Sequence, residues 1–196
     1  MGQEIEYKLR ADSRMELMEA YRRVLAFAEA GEEQTILMET RYFDTPSREL
    51  QAKKWMLRIR RENEQQVLTC KTPAGEHARG EWSLPRTLSE AAPQPVELEA
   101  LIAMGAPEEL RTLSGLCVFC GAKFTRRCTM LSFEDGTRVE LAADEGQLLG
   151  QTERVDFCEL ELELYGGDEQ KLSALAAVAG LPEEPLSKAA RAFRLR

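Results

Sequence analysis

Alternating charged and apolar positions recur along the chain and predict β-strands that have one charged face and one apolar face. Segment 4–9 alternates in this way, so that its charged residues share one face of a strand. The alternation returns in segments 57–60 and 159–164. Several strands of this kind suggest a sheet closed on itself, with its charges inside and helices outside.

The same periodicities, together with glycine and proline signals, predict the order of the elements. Strands are expected at about 3–10, 33–45, 54–62, 65–72, 81–84, 117–133, 138–148 and 154–165. Helices are expected at about 13–30, within 89–113, at 169–178 and in the tail 187–196, and segment 47–52 is expected to be a short polar connection that could form one helical turn. The charged strands resume after the helical segment 89–113, which favours a single α+β domain spanning 1–196.

The first predicted helix has a clear beginning and end. Ser13 and Glu16 fit a capping box, and Gly31 would end the helix. Its apolar side is expected to comprise Met15, Met18, Leu25 and Ala28.

Composition narrows the classes of partner. The 196 residues carry a net charge of −8, with a pI of about 5.0, which argues against non-specific nucleic-acid binding. No apolar run approaches the roughly 20 residues of a membrane helix, and the N-terminus is unlike a secretory signal. We therefore expect a cytoplasmic protein with neither nucleic acid nor membrane as a partner, and the sequence leaves open whether it forms a homodimer.

The five cysteines and the single histidine offer little catalytic chemistry. Cys117 and Cys120 form a lone CxxC pair, and a zinc site needs about four ligands. His77 lies in a glycine-flanked loop. We interpret the cysteines as reduced structural residues and His77 as a surface residue.

The charged faces of the predicted strands collect two chemically complementary sets of side chains. The acids are Glu4, Glu6, Glu81, Glu140, Glu159 and Glu161, and the bases are Lys8, Arg58, Arg60, Lys71, Arg127 and Lys188. Carboxylates in such number suit a hard divalent cation, Mg²⁺ or Mn²⁺. Guanidinium and ammonium groups suit phosphate oxygens. The combination is what a polyphosphate with a bound metal requires.

These residues also resemble a known family, the CYTH domain proteins or triphosphate tunnel metalloenzymes. The Glu-x-Glu-x-Lys hallmark of the family is matched at 4–8, and further matches follow in the family's order over essentially the whole chain. They are Tyr42-Phe43-Asp44-Thr45, Leu57-Arg58-Ile59-Arg60, Lys71, the Glu81 strand, Thr125-Arg126-Arg127, Val139-Glu140-Leu141, Glu159-Leu160-Glu161, and Ser187-Lys188 with Arg191.

The resemblance implies an eight-stranded antiparallel β-barrel, a tunnel fold that holds a divalent metal and a triphosphate. By position, it implies metal ligands at Glu4, Glu6, Glu140, Glu159 and Glu161. It implies triphosphate binding by Lys8, Arg58, Arg60, Lys71, Arg127 and Lys188, and catalytic roles for Lys8, Arg58, Arg60 and Glu81. Because neighbours on a strand face opposite ways, Arg126 is an alternative to Arg127, which the alignment favours.

The function expected from the resemblance is metal-dependent hydrolysis of inorganic triphosphate or a small organic triphosphate. An adenylyl cyclase making cyclic AMP is one alternative, although the sequence contains no motif for the nucleoside. A non-catalytic module for polyphosphate or nucleotides is another. The sequence does not indicate which group activates water or which metal is used.

Lys188 follows Pro185 near the start of the predicted tail helix. A helix N-terminus favours an anion, so this helix is expected to rim or plug a tunnel mouth with Lys188 reaching the polyphosphate. In the alternative arrangement the tail packs outside the barrel and Lys188 lies in water.

Overall fold

The computed structural model describes residues 5–73, 79–87 and 90–195. The strands are β1 (Ile5–Ala11), β2 (Glu29–Ala30), β3 (Gln34–Asp44), β4 (Met56–Glu62), β5 (Gln65–Pro73), β6 (Arg79–Arg86), β7 (Cys117–Ser132), β8 (Arg138–Leu149) and β9 (Arg154–Gly166). The helices are α1 (Arg14–Leu25), α2 (Glu49–Ala52), α3 (Pro95–Ala103), α4 (Glu169–Ala179) and α5 (Lys188–Ala192), with a 3-10 helix at Glu108–Thr112. None of the described helices is long and apolar enough to cross a membrane.

The strands form one sheet in the order β1-β9-β8-β7-β3-β4-β5-β6, and β2 adds to β7. The residue pairings in β1–β9, β3–β4, β4–β5 and β5–β6 are antiparallel. The predicted antiparallel α+β architecture is therefore confirmed. Within the described ranges β1 and β6 remain the two ends of the path, so hydrogen bonds do not close the sheet there.

By internal contacts the chain divides into two compact units. The first unit comprises Met1–Leu37, Phe124–Leu148 and Arg154–Lys188, and the second comprises Met38–Lys123, Leu149–Glu153 and Ala189–Arg196. A single domain over 1–196 stays a prediction.

The core of the first unit lies on the apolar faces of β1 and β9. Leu9 pairs with Leu160 in the antiparallel register, and both residues pack in a buried cluster with side chains of α1 and α4. Because side chains alternate along a strand, the charged residues of β1 and β9 lie on the opposite face.

Helix α1 differs from the prediction in its buried face and in its end. Ser13 caps it, its Oγ accepting the N–H of Glu16 at 3.2 Å. The fully buried stripe is Leu17, Ala20, Tyr21 and Val24, whereas Met15 is 72% exposed. The predicted apolar side relied on the two methionines, whereas Leu17, Tyr21 and Val24 follow the i, i+4, i+7 spacing of a single helix face. The helix ends at Leu25, since residues 29–30 pair with β7 as β2.

The core of the second unit lies between the strands β4–β6 and helix α3. Leu57, Ile59 and Leu68 are buried in one cluster with Leu98 and Leu101 of the helix. Strand alternation then places the even-numbered residues of β4 on the face away from α3.

A buried ion pair fixes α3 against β6. Arg86 Nε donates to Glu97 Oε1 at 2.7 Å, and Arg86 Nη2 donates to Glu97 Oε2 at 3.1 Å. The same guanidinium donates to the carbonyl oxygens of Glu90 and Ala92, and Glu97 also accepts the N–H of Gln94 at the start of the helix.

Candidate metal and phosphate site

Three carboxylates meet on the charged face of the first unit. Glu159 and Glu161 alternate along β9 with leucines of the core, and Asp144 comes from β8. One oxygen from each of the three side chains lies within 4.8 Å of the others. Asp144 and Glu159 are both 0% exposed. Among the described residues, these three side chains are close enough together to hold a metal ion. We call Asp144, Glu159 and Glu161 the acid trio.

The ammonium group of Lys188 lies among the acid trio. Its Nζ is 2.8 Å from Asp144 Oδ2 and 2.7 Å from Glu161 Oε1, and it also donates to Glu159. The rings of Phe124 and Phe157 lie 5.2 and 5.4 Å from the same nitrogen. Lys188 is therefore a buried cation enclosed by carboxylates and aromatic rings, and the predicted alternative with Lys188 in water is excluded.

A second cation, Arg126, binds the same acids. Its Nε donates to Asp144 Oδ1 at 2.8 Å and its Nη2 to Asp144 Oδ2 at 2.7 Å, and Nη2 also contacts Glu161. Its Nη1 is 3.7 Å from Glu140 Oε1. All three guanidinium nitrogens thus lie beside carboxylates.

Arg127 lies elsewhere, and the preference for Arg127 over Arg126 is wrong. The Arg127 side chain is 43% exposed, and its Nε is 3.6 Å from Glu33 Oε1. Arg127 shares strand parity with Leu131, which is buried in the core beside the helices. Its neighbour Arg126 therefore points to the charged face.

Neighbouring charges outweigh burial in setting the pKa values of Glu161 and Lys188. Burial alone would raise the pKa of Glu161, but the charges of Lys188 and Arg126 lower that pKa well below its usual range. Burial would likewise lower the pKa of Lys188, but Asp144, Glu161 and Glu159 raise it above its ordinary value. Glu161 is thus a carboxylate and Lys188 an ammonium at neutral pH.

The remaining predicted residues of the first unit lie on the same charged strand faces. Lys8 pairs in register with Glu161, and its Nζ is 2.5 Å from Glu6 Oε1. Glu140 shares parity with Asp144 on β8, and its carboxylate lies near Arg126. Glu4 lies outside the described residues.

The donor set fits a hard divalent cation. Carboxylate oxygens are the ligands that Mg²⁺ and Mn²⁺ prefer in proteins, and the acid trio already holds one cation, the Lys188 ammonium, at hydrogen-bonding distance. Asp144, Glu159 and Glu161 are the residues whose oxygens are close enough to share an ion.

In the second unit the predicted bases share one strand face. Arg58 pairs in register with Tyr42 and Thr69, and Arg60 with Thr40 and Val67. Lys71 and Glu81 continue this face as a cross-strand pair, with 2.8 Å between Nζ and Oε2. This face lies opposite the core that packs on α3.

Two donors on this basic face are buried without a hydrogen-bond partner among the described residues. They are Nε of Arg60 and Oγ1 of its register partner Thr40. The carboxylate of Glu62 is 3.8 Å from Arg60 Nη1, beyond a direct hydrogen bond. Buried unsatisfied donors are costly, and an anion would satisfy them.

Motif alignment favoured Arg127 over Arg126. The sequence pattern also left Asp144 open, either as an inward residue by alternation from Glu140 or as a loop acid. Of the two CxxC residues, Cys117 is exposed and Cys120 is buried, and burial raises the pKa of the Cys120 thiol to about 12. His77 lies outside the described residues.

Solved structures with similar folds cover nearly the whole chain. A putative adenylyl cyclase from Hippeastrum, described as having a dominant triphosphatase activity, is 20% identical with a TM-score of 0.58, covering 97% of this chain and 95% of the other. A protein of Pyrococcus horikoshii is 21% identical with a TM-score of 0.57, covering 97% and 96%. These likenesses concern the fold.

Sequence comparison gives the family. An inorganic triphosphatase of Haemophilus influenzae is 30% identical over 176 residues, which cover 88% of this chain and 48% of that protein. The chain thus spans about half the length of this curated relative. The family model of the CYTH domain matches residues 2–193. With the charged strand faces described above, this match shows that the chain belongs to the CYTH domain family.

Proposed function

We propose that this chain hydrolyses inorganic triphosphate or a small organic triphosphate with the help of a divalent cation. The observation that carries the proposal is the buried acid trio, whose three carboxylates come within 4.8 Å and already surround a cation. The name of the Haemophilus influenzae relative, an inorganic triphosphatase, supports the choice of substrate.

In this proposal the acids of the first unit hold the metal. Asp144, Glu159 and Glu161 are its ligands, with Glu4, Glu6 and Glu140 as further oxygen donors. The cation is Mg²⁺ or Mn²⁺, which when bound would neutralise phosphate oxygens and orient a water molecule. Arg126 has its guanidinium nitrogens beside carboxylates, and we assign it the role of holding those carboxylates in position.

The phosphate-binding residues are Lys8, Arg58, Arg60, Lys71 and Lys188. Arg60 and Thr40 contribute the unsatisfied donors that a phosphate oxygen would meet. Charge on the transferred group is stabilised by such fixed donors. Glu81, ion-paired with Lys71, is proposed to orient that lysine. A cytoplasmic location and the lack of a nucleic-acid partner stay predictions, and whether the chain forms a homodimer stays open.

The decisive experiment measures phosphate release from inorganic triphosphate by the pure chain in Mg²⁺, in Mn²⁺ and in EDTA. Turnover is expected with metal and not in EDTA. Glu159→Gln should abolish most turnover, because it removes a buried ligand, whereas Glu134→Gln, at an exposed turn position, should not. Full turnover in EDTA would contradict the proposal.

A cavity in the second unit favours organic triphosphates as a second substrate class. It measures about 380 Å³ and is lined by Arg48, Phe119, Gln151, Thr152, Phe193, Arg194 and Leu195. The ring of Phe193 contacts Tyr42, at 6.3 Å between centroids, and Tyr42 is the register partner of Arg58. The lining includes the aromatic rings of Phe119 and Phe193, on which a planar organic group could stack.

The substrate classes are separated by assaying inorganic triphosphate, thiamine triphosphate and ATP side by side, with phosphate and cyclic AMP measured separately. Phe193→Ala should weaken turnover of the organic substrates and leave inorganic triphosphate unchanged. Cyclic AMP as the main product would establish the cyclase alternative. Binding of all three without turnover would instead indicate a non-catalytic module.

A further inference from the structure

The position of Lys188 has a consequence for metal binding. Its ammonium lies 2.8 Å from Asp144 and 2.7 Å from Glu161, and also contacts Glu159. These are the three residues whose oxygens form the acid trio. The side chain is nearly fully buried, at 8% exposed. One positive group thus occupies the place where the carboxylates converge.

A divalent ion cannot use the same oxygens while the ammonium remains there. Mg²⁺ binds oxygen at about 2.0–2.1 Å, so an ion held by the trio would lie within van der Waals range of a nitrogen held by the same oxygens. Both groups are cationic, and burial leaves little water to screen their repulsion. The oxygens would also have to serve two partners.

When no metal is bound, Lys188 neutralises part of the negative charge of the cluster. Asp144, Glu140, Glu159 and Glu161 face two cations, Lys188 and Arg126. Without Lys188, the buried Glu159 and Asp144 would each lose a direct counter-ion, and four carboxylates would be left with the single charge of Arg126, which is unfavourable in a buried cluster.

We infer that Lys188 is an internal counter-ion that occupies the cation position of the acid trio and that a divalent cation must displace it. The inference rests on the proposed function, in which the trio binds metal. Displacement would free the Lys188 ammonium for a phosphate oxygen, so metal binding would precede and prepare triphosphate binding. The same lysine would then serve two anionic partners in turn.

Calorimetric titration with Mn²⁺, in the absence of triphosphate, tests the competition directly. Lys188→Met removes the competing ammonium and is expected to bind Mn²⁺ at least about tenfold more tightly than the unaltered chain. The matched control is Lys171→Met, since Lys171 also pairs with a carboxylate, Asp135 at 3.0 Å, but outside the trio. It should bind Mn²⁺ like the unaltered chain.

Equal Mn²⁺ affinity of the Lys188→Met variant and the unaltered chain would overturn the competition while leaving the metal centre intact. An absence of Mn²⁺ binding by both proteins would overturn the metal centre as well. The two failures are therefore distinguishable.

A second measurement follows the unaltered chain and uses a variant only to assign the signal. With nitrogen-15 in the lysine side chains, a buried and hydrogen-bonded ammonium gives a slowly exchanging NMR signal in EDTA. We expect one such signal from Lys188, assigned with Lys188→Arg, and its loss or large shift on saturation with Mg²⁺. A signal unchanged at Mg²⁺ concentrations that saturate the calorimetric site would overturn the inference.

Discussion

Arg126 and Arg127 are adjacent in sequence and lie in opposite environments. Arg126 donates to Asp144 and Glu161 in a buried cluster, and Arg127 lies near Glu33 with 43% of its side chain exposed. Motif alignment fixed this position only to within one residue, and one residue reverses the face of a strand. Counting parity from Leu131 in the core decides between them.

The two arginines should therefore differ sharply in their effect on stability. Arg126→Ala leaves the fully buried Asp144 without its bidentate partner, and breaking a buried ion pair typically costs about 3–5 kcal/mol. Arg127→Ala removes a long, exposed contact that is worth about 1 kcal/mol or less.

Urea unfolding in EDTA measures both changes as differences in the free energy of unfolding. Arg126→Lys is a useful third variant, because it retains the charge but loses the two parallel hydrogen bonds to Asp144. Equal losses for Arg126→Ala and Arg127→Ala would contradict the assignment of faces.

Most elements could be predicted because local signals and tertiary packing agree. The hairpin of β4 and β5 turns at Asn63, which adopts a positive φ of 51°. Strand β9 was predicted from its alternating glutamates and leucines, and Leu160 and Leu162 are buried as expected. Such segments can be predicted from sequence because their local pattern agrees with their burial in the fold.

One mispredicted element depends on a partner that is distant in the chain, and another is shorter than predicted. The end of α1 is set by the pairing of residues 29–30 with β7, about a hundred positions away. The tail was expected to be helical over 187–196, but α5 spans only Lys188–Ala192. Propensity within a short window of sequence contains no information about the pairing that ends α1, and it does not determine where the tail helix ends.

Helix α3 offers a test of how an ion pair fixes an element. The Arg86 and Glu97 side chains are 1% and 5% exposed and share two hydrogen bonds. Arg86→Ala would leave Glu97 buried and the carbonyls of Glu90 and Ala92 without this donor. We expect a loss of about 3–5 kcal/mol in the free energy of unfolding.

Arg111 supplies the matched control for this prediction. It forms a similar two-bond pair with Glu99, at 2.6 and 2.7 Å, but both side chains are about half exposed. Arg111→Ala should destabilise the chain far less than Arg86→Ala, because water replaces the lost partner. Comparable losses for Arg86→Ala and Arg111→Ala in urea unfolding would show that burial does not set the strength of the α3 attachment.

At the scale of the whole chain, the sequence indicated which strand faces are charged but not which charged side chains form ion pairs. Glu159, Glu161 and Lys188 were each predicted in the site from the family resemblance, and the structure brings them together in one ion cluster with Asp144. Distances among residues from separate elements follow from sheet register and packing, which a single sequence does not contain. Arg58, Arg60, Lys71 and Glu81 likewise were predicted as a charged set, and the structure places them on one face of the second unit.

The division into two units makes metal binding and phosphate binding experimentally separable. The acid trio belongs entirely to the first unit, and Arg58, Arg60 and Lys71 belong to the second. On the proposed function, Arg60→Ala should leave the Mn²⁺ affinity unchanged in the absence of triphosphate. It should raise the KM for triphosphate about tenfold or more, because a charge-assisted bond to phosphate is worth about 1.5–3 kcal/mol.

Glu161→Gln should have the opposite effect to Arg60→Ala. It should weaken Mn²⁺ binding in the absence of triphosphate, and turnover should be lost as a consequence.

The control for Arg60→Ala is Arg61→Ala. Arg61 is the next residue of β4 and lies on the opposite strand face, where it pairs in register with Glu39. The Arg61→Ala change should alter neither Mn²⁺ affinity nor KM. An Arg60→Ala variant with normal KM, or with weakened Mn²⁺ binding comparable to Glu161→Gln, would show that the basic face of the second unit does not serve the phosphate chain as proposed.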